Sequence, residues 1–137
     1  MINIMKKFLT LVSLFYSFSA IANAECIRPK ASAAYKKINC LQEGLSVVSK
    51  DGKYGAIDAN GKEIIPPTYD FLGGFNDGLS HAKKGNKKGY INKQGNEVIP
   101  FEYDFANNFE NGIAKVNKDE KWFYIDKAGK FVKDAEK

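Results

Sequence analysis

One fixed spacing, the interval from Gly44 to Gly78, constrains this chain more than any other feature in it. The same interval leads on from Gly78 to Gly112, and it separates Gly61, Gly95 and Gly129. Pro66 and Pro100, Tyr69 and Tyr103, Asp70 and Asp104, and Phe71 and Phe105 keep it as well, as does the series Leu41, Phe75, Phe109. Residues 41–74 and 75–108 align without a gap and share 14 identical positions. A third copy starts at Phe109 and breaks off after Val132. A repeat this short cannot bury its apolar face alone, so it stacks on its neighbours.

Helical hairpins also repeat with a period of about 34 residues, and the local chemistry decides against them. Glycine falls in mid-run at Gly55 and Gly89, and turn residues punctuate each copy several times. Helices do not tolerate that density of breakers. The apolar runs are short and rich in β-formers, as in residues 45–48, 54–57 and 62–65. Asp51-Gly52 suits a two-residue type I′ hairpin. Asp58 to Gly61, Asn92 to Gly95 and Asp126 to Gly129 suit a type I turn closed by a glycine bulge. The fold class expected is all-β: tandem repeats, each a three-stranded antiparallel meander.

Alternation places Gly55 and Ile57 on one face of the second strand, matched by Gly89 and Ile91. Tyr54 and Ala56 share the other face, matched by Lys88 and Tyr90 and by Trp122 and Tyr124. The Gly/Ile face is expected to meet a neighbouring repeat, its glycine allowing close backbone approach. The aromatic face is read as a second core layer, with a binding surface as the alternative.

What precedes the repeats reads as an address and a staple. Lys6 and Lys7, the uncharged run from Phe8 to Phe18 and the small-x-small site Ala22-Asn23-Ala24 follow the order of a cleaved secretory signal peptide. Residues 1–24 are assigned to it, with a periplasmic or secreted location and no membrane span after cleavage. Lys6 and Lys7 leave with the signal, so the side-chain charge falls from +5 to +3, ordinary for a soluble surface. In an oxidising compartment Cys26 and Cys40 are expected to pair. The loop so closed is worth about 3 kcal/mol in the chain-entropy picture. Between them, residues 29–38 are rich in helix formers and predict a short N-terminal helix. The partition is thus 1–24, 25–40 and a repeat domain 41–137, divided into 41–74, 75–108 and a truncated 109–137.

The repeat resembles the WG-repeat (KWG-repeat) family. The first copy carries Gly44-Leu45-Ser46, Lys53-Tyr54-Gly55-Ala56-Ile57-Asp58, Gly61-Lys62-Glu63-Ile64-Ile65-Pro66 and Tyr69-Asp70. The second carries Lys87-Lys88-Gly89-Tyr90-Ile91-Asn92 and Tyr103-Asp104, the third Lys121-Trp122-Phe123-Tyr124-Ile125-Asp126. The tryptophan of the pattern is Tyr54 and Lys88 in the first two copies, and Phe123 replaces its glycine in the third. The resemblance implies a repeat fold and no defined activity.

Catalysis needs a base, nucleophile or metal gathered in one place, and nothing in the chain shows that spacing. Its one histidine, His81, stands where the other copies have Val47 and Lys115 and reads as a solvent-facing residue. Asp70 and Asp104 read as turn residues bonding nearby backbone. No cofactor, metal site or nucleic-acid partner is expected. One hairpin is locally cationic: Lys83, Lys84, Lys87 and Lys88, with Lys93 beyond, and no acid among them. With Tyr90 and Trp122 these are the candidate partner-binding residues. The expected function is a non-enzymatic periplasmic protein-binding module for an envelope or periplasmic partner with an acidic surface. Its sharper form is an immunity or inhibitor protein against a toxin or cell-wall hydrolase. The alternative is a binder of an envelope glycan or anionic polymer.

Overall fold

A computed structural model describes residues 25–31 and 33–136; the signal-peptide assignment, residues 1–24, lies outside the described residues. Among the described residues twelve strands form three separate four-stranded antiparallel sheets, and no helix occurs. The first sheet holds β1 (Lys37–Ile38), β2 (Leu45–Lys50), β3 (Lys53–Asp58) and β4 (Glu63–Tyr69). The second holds β5 (Phe71–Leu72), β6 (Leu79–Lys84), β7 (Lys87–Asn92) and β8 (Glu97–Tyr103). The third holds β9 (Phe105–Ala106), β10 (Ile113–Lys118), β11 (Lys121–Asp126) and β12 (Phe131–Asp134).

The turns obey their local chemistry. Asp51 and Gly52 both take positive φ, at 52° and 78°, as type I′ demands. Gly61 donates its N–H to the Asp58 carbonyl while Asp58 donates to the Lys62 carbonyl, and Gly95 and Gly129 repeat the arrangement. Each Asp or Asn side chain of these turns also accepts two backbone N–H groups, fixing the loop.

The meander expected from sequence gains a fourth strand. After Tyr69-Asp70 the chain does not simply cross over; Phe71 and Leu72 pair with Lys83 and Ala82 as an edge strand of the next sheet. Phe105 and Ala106 do the same for the third sheet. For the first sheet that strand comes from the cysteine-flanked segment, where Lys37 and Ile38 pair with Ser49 and Val48. This overturns the expected N-terminal helix. The segment instead bonds outward to the sheet, Lys30 N–H to the Ala59 carbonyl, Lys36 N–H to Ser49 and Asn39 N–H to Val47. Tertiary pairing outweighs a modest helix preference. A disulfide joins Cys26 to Cys40.

The sheets pack in a row through two cores. Val47, Ala56 and Ile65 sit side by side on the first sheet and meet Leu72, Ala82 and Ile91 of the second. Tyr90, Ile99 and Tyr103 on the opposite face of the second sheet meet Ala106, Val116 and Ile125 of the third. The Gly/Ile face of the second sheet thus does meet a neighbouring repeat, and its aromatic face is core. The glycine has another reason. Opposite Gly89, strand β8 bulges through Pro100, and a Cβ there would lie 2.6 Å from the Ile99 carbonyl oxygen. Gly55 faces Pro66 in the same way. The close approach is made by the sheet's own fourth strand, not by the neighbour.

Candidate functional site

One line of side chains runs through all three sheets. Tyr54, Phe71, Lys88, Phe105 and Trp122 are evenly spaced, at half the repeat interval. Two elements alternate in supplying them: the second position of β3, β7 and β11, and the first position of β5 and β9. Tyr54 lies 6.0 Å from Phe71, ring to ring, and Phe105 stacks on Trp122 at 5.8 Å. Between the two pairs the Lys88 ammonium sits 5.8 Å from the Phe71 ring and 5.8 Å from the Phe105 ring. A cation thus takes the place of an aromatic ring in the middle of the column, held by two cation–π contacts of about 0.5–1 kcal/mol each. Phe71 is 37% and Phe105 55% exposed, so the column is a surface feature.

The neighbouring lysines are also engaged. Lys84 lies 5.0 Å from the Tyr69 ring and 5.7 Å from the Phe101 ring, and those two rings stack on each other. Lys87 bonds the Asp104 carboxylate at 2.5 Å, and Lys53 bonds the Asp70 carboxylate. The same carboxylates accept backbone N–H groups from the following hairpin, Asp70 from Gly85 and Asp104 from Asp119. The acids therefore do bond backbone, but in the next sheet, tying each hairpin tip to the sheet before it. The Lys53 bond, then the Gly85 bond, hold the Asp70 carboxyl below the usual range, and Lys87, then Asp119, do so for Asp104.

The lysine-rich hairpin is consequently not the free cationic patch that its sequence suggests. Lys83 pairs across from Phe71, and its charge acts on Asp70. Lys93 lies beyond the far end of β7, apart from the hairpin tip. Tyr90 is fully buried and donates its hydroxyl to the Asn107 carbonyl, so it belongs to the core and not to a docking surface. Trp122 sits at the end of the column, on the outer face of the third sheet, with Lys115 5.1 Å from its ring. Tyr124 shares that face, under Lys133 at 5.2 Å. Among the described residues no further sheet covers this face.

His81 is a correction. It is mostly buried, packs 5.2 Å from the Phe71 ring, and its Nδ1 is buried without a partner. Burial and then the Lys88 charge lower its pKa to about 4, against a weaker opposing bond from Asn108. Among the described residues no group of three His, Cys, Asp or Glu side chains could hold a metal ion, and no helix is long and apolar enough to cross a membrane.

Sequence reasoning missed the ties between repeats. Glu43, Asp77 and Asn111 all take positive φ, each just before a positive-φ glycine. The Glu43 carboxylate accepts the Gly78 N–H and the Asp77 carboxylate accepts the Gly112 N–H, each at 2.8 Å, so each of the first two turns caps the next one. The Asp77-Gly78 and Asn111-Gly112 dipeptides, one repeat apart, were the available signal.

A family model described as WG containing repeat matches residues 31–54, 54–87 and 89–122. No curated protein and no solved structure matches the chain.

Proposed function

Since the chain belongs to the WG-repeat family, its premise is a repeat-built scaffold, and we propose that this one is an exported, non-enzymatic protein-binding module. It docks its partner along the column that ends at Trp122. The single observation carrying this reading is the column itself: a partly exposed stripe of aromatic rings interleaved with ammonium groups, running the length of the stack. Large aromatic residues carry much of the binding energy at protein interfaces, because rigid rings gain area with little loss of freedom. The lysines favour a partner with acidic residues at matching positions. The disulfide fits an oxidising compartment, in line with the address read at the N-terminus. An inhibitor of a toxin or wall hydrolase is the sharper form of the same reading.

The test is capture from the periplasm with gentle cross-linking, comparing the wild-type chain with a Phe105→Ala, Trp122→Ala variant of equal folded content. One stoichiometric partner retained by the wild type and lost by the variant supports the proposal. Equal capture by both contradicts it. Weak, salt-sensitive retention on purified envelope polymer, with no protein partner, moves the reading to an anionic-polymer binder.

A further inference from the structure

The two gaps between sheets are built from equivalent positions of successive repeats, yet their chemistry differs. Val47, Tyr54, Leu72, Gly73 and Gly74, together with Lys37 and Asn39, line a groove of about 240 Å³ between the first and second sheets. The equivalent positions between the second and third sheets are His81, Lys88, Ala106, Asn107 and Asn108, and the groove there reaches about 680 Å³. Four apolar or small residues have become polar, and leucine has shrunk to alanine. Glu110, Lys115 and Tyr124 form its outer part.

Folding does not call for this exchange. At the same four positions the first gap carries valine, tyrosine and two glycines. In the second gap an imidazole is mostly buried, with Nδ1 bonded to nothing. A buried polar atom without a protein partner is destabilising unless a water or a ligand satisfies it, so this position has room for a partner from outside the chain.

The groove has a definite chemical bias. Lys88 and Lys115 bring two positive charges and Glu110 one negative, so the lining carries one net positive charge, with the Lys88 ammonium between the Phe71 and Phe105 rings and the Lys115 ammonium donating to the Glu136 carbonyl. Asn107 and Asn108 present amides that both donate and accept, His81 a neutral imidazole, and Tyr124 a ring edge with a hydroxyl. Planar amides and a carboxylate suit vicinal hydroxyls, and the excess cation suits a single carboxylate.

We propose that this groove binds an acidic sugar: a hexuronic acid, either free or as a unit of an envelope polymer. Lys88 and Lys115 take the carboxylate, and Asn107, Asn108 and His81 take hydroxyls. The groove shares Lys88 with the docking column, but Phe105 and Trp122, the residues changed to test the column, do not line it.

The experiment is calorimetric titration of the mature, disulfide-bonded protein at low salt with glucuronic acid, a tri-uronide, glucose and inorganic phosphate. It is repeated on the triple variant His81→Val, Asn107→Gly, Asn108→Gly, which installs the residues of the first gap. The expected result is saturable uronate binding, weakened about tenfold or more both for glucose in place of glucuronic acid and in the triple variant. Lys115→Gln, a half-exposed position outside both cores, gives a similar loss and serves if the triple variant does not fold. Binding of free glucuronic acid identifies the monosaccharide as sufficient, while binding of the tri-uronide alone identifies the polymer as the source. Three results overturn the proposal: no saturable binding of either uronate, glucose or phosphate bound as tightly as uronate, or uronate binding untouched by Lys115→Gln.

Discussion

The second and third sheets come from one repeat, and they part company at a single pair of features. In the second, Gly89 lies under the Pro100 bulge of β8; in the third, Phe123 stands in place of the glycine and no proline follows. The register explains why both change together. Strand β12 meets β11 with Phe123 opposite Asp134 and Tyr124 opposite Lys133, so no backbone crosses over Phe123. Its ring is free to pack against Tyr103 and Phe131. The glycine of the repeat is therefore tied to the bulge beside it. The second difference lies on the far face. Tyr90 of the second sheet is sealed by the third, whereas Tyr124 and Trp122 have no sheet over them among the described residues. One repeat thus yields a core face inside the stack and an open face at its end.

Substitution at the glycine carries the largest expected effect. Gly89→Ala puts a methyl group against the Ile99 carbonyl, where backbone cannot yield. It is expected to cost about 3 kcal/mol or more in urea unfolding, or to prevent folding. Phe123→Ala removes only a partly buried ring and should cost about 1–2 kcal/mol. Equal effects at the two positions would show that the glycine is not set by the bulge.

The second prediction concerns pH. His81 has its pKa lowered in the folded state from 6.5 to about 4, so the unfolded chain binds its proton more readily. The contribution of the neutral imidazole is complete above the unfolded value and declines as pH falls toward the folded one, by about 3 kcal/mol. Unfolding curves of the wild type should show this loss across that window. His81→Val, which copies Val47, should abolish it, leaving the fall at lower pH that comes from Asp70 and Asp104. The sibling gap predicts that this variant folds.

A smaller effect separates the turns. Asp77 accepts the Gly112 N–H and holds φ at 53°, whereas Asn111 has only the φ of 52° to maintain. Asp77→Ala should cost about 1–2 kcal/mol and Asn111→Ala about half that, by thermal unfolding. Smallest of all, the third hairpin turns through Asp119 and Glu120, both at positive φ with no glycine. Glu120→Gly should stabilise the protein by about 0.5–1 kcal/mol, a gain that a glycine already present at Gly52 denies to the first hairpin.

How much of this was legible in the sequence depends on the reach of each interaction. Turns were readable because positive φ at Gly52 or a bulge at Gly61 is a demand made by the residues immediately around it. The three long strands followed from them. The edge strand Phe71–Leu72 was not readable, since so short a strand carries no alternation. The segment between the cysteines was misread because its backbone partners lie in β2 and in the turn after β3, beyond any local propensity. The site was the least legible. A comparison at the full repeat interval pairs Phe71 with Phe105 and never with Lys88, so the column of half-repeats stays hidden until strands from adjacent sheets are set side by side. Charge counting found the lysines of the hairpin but not the rings and carboxylates that occupy three of them.

The chain has one tryptophan, and it stands on the face that distinguishes the third sheet from the second. Acrylamide quenching of Trp122 fluorescence in the isolated monomer therefore probes that face with no partner present. The expected result is a solvent-accessible indole that quenches readily, and more readily still when Lys115→Ala removes the side chain over it. A blue-shifted emission resistant to quenching in the monomer would mean that the end of the stack is closed, and would contradict the binding face proposed for it.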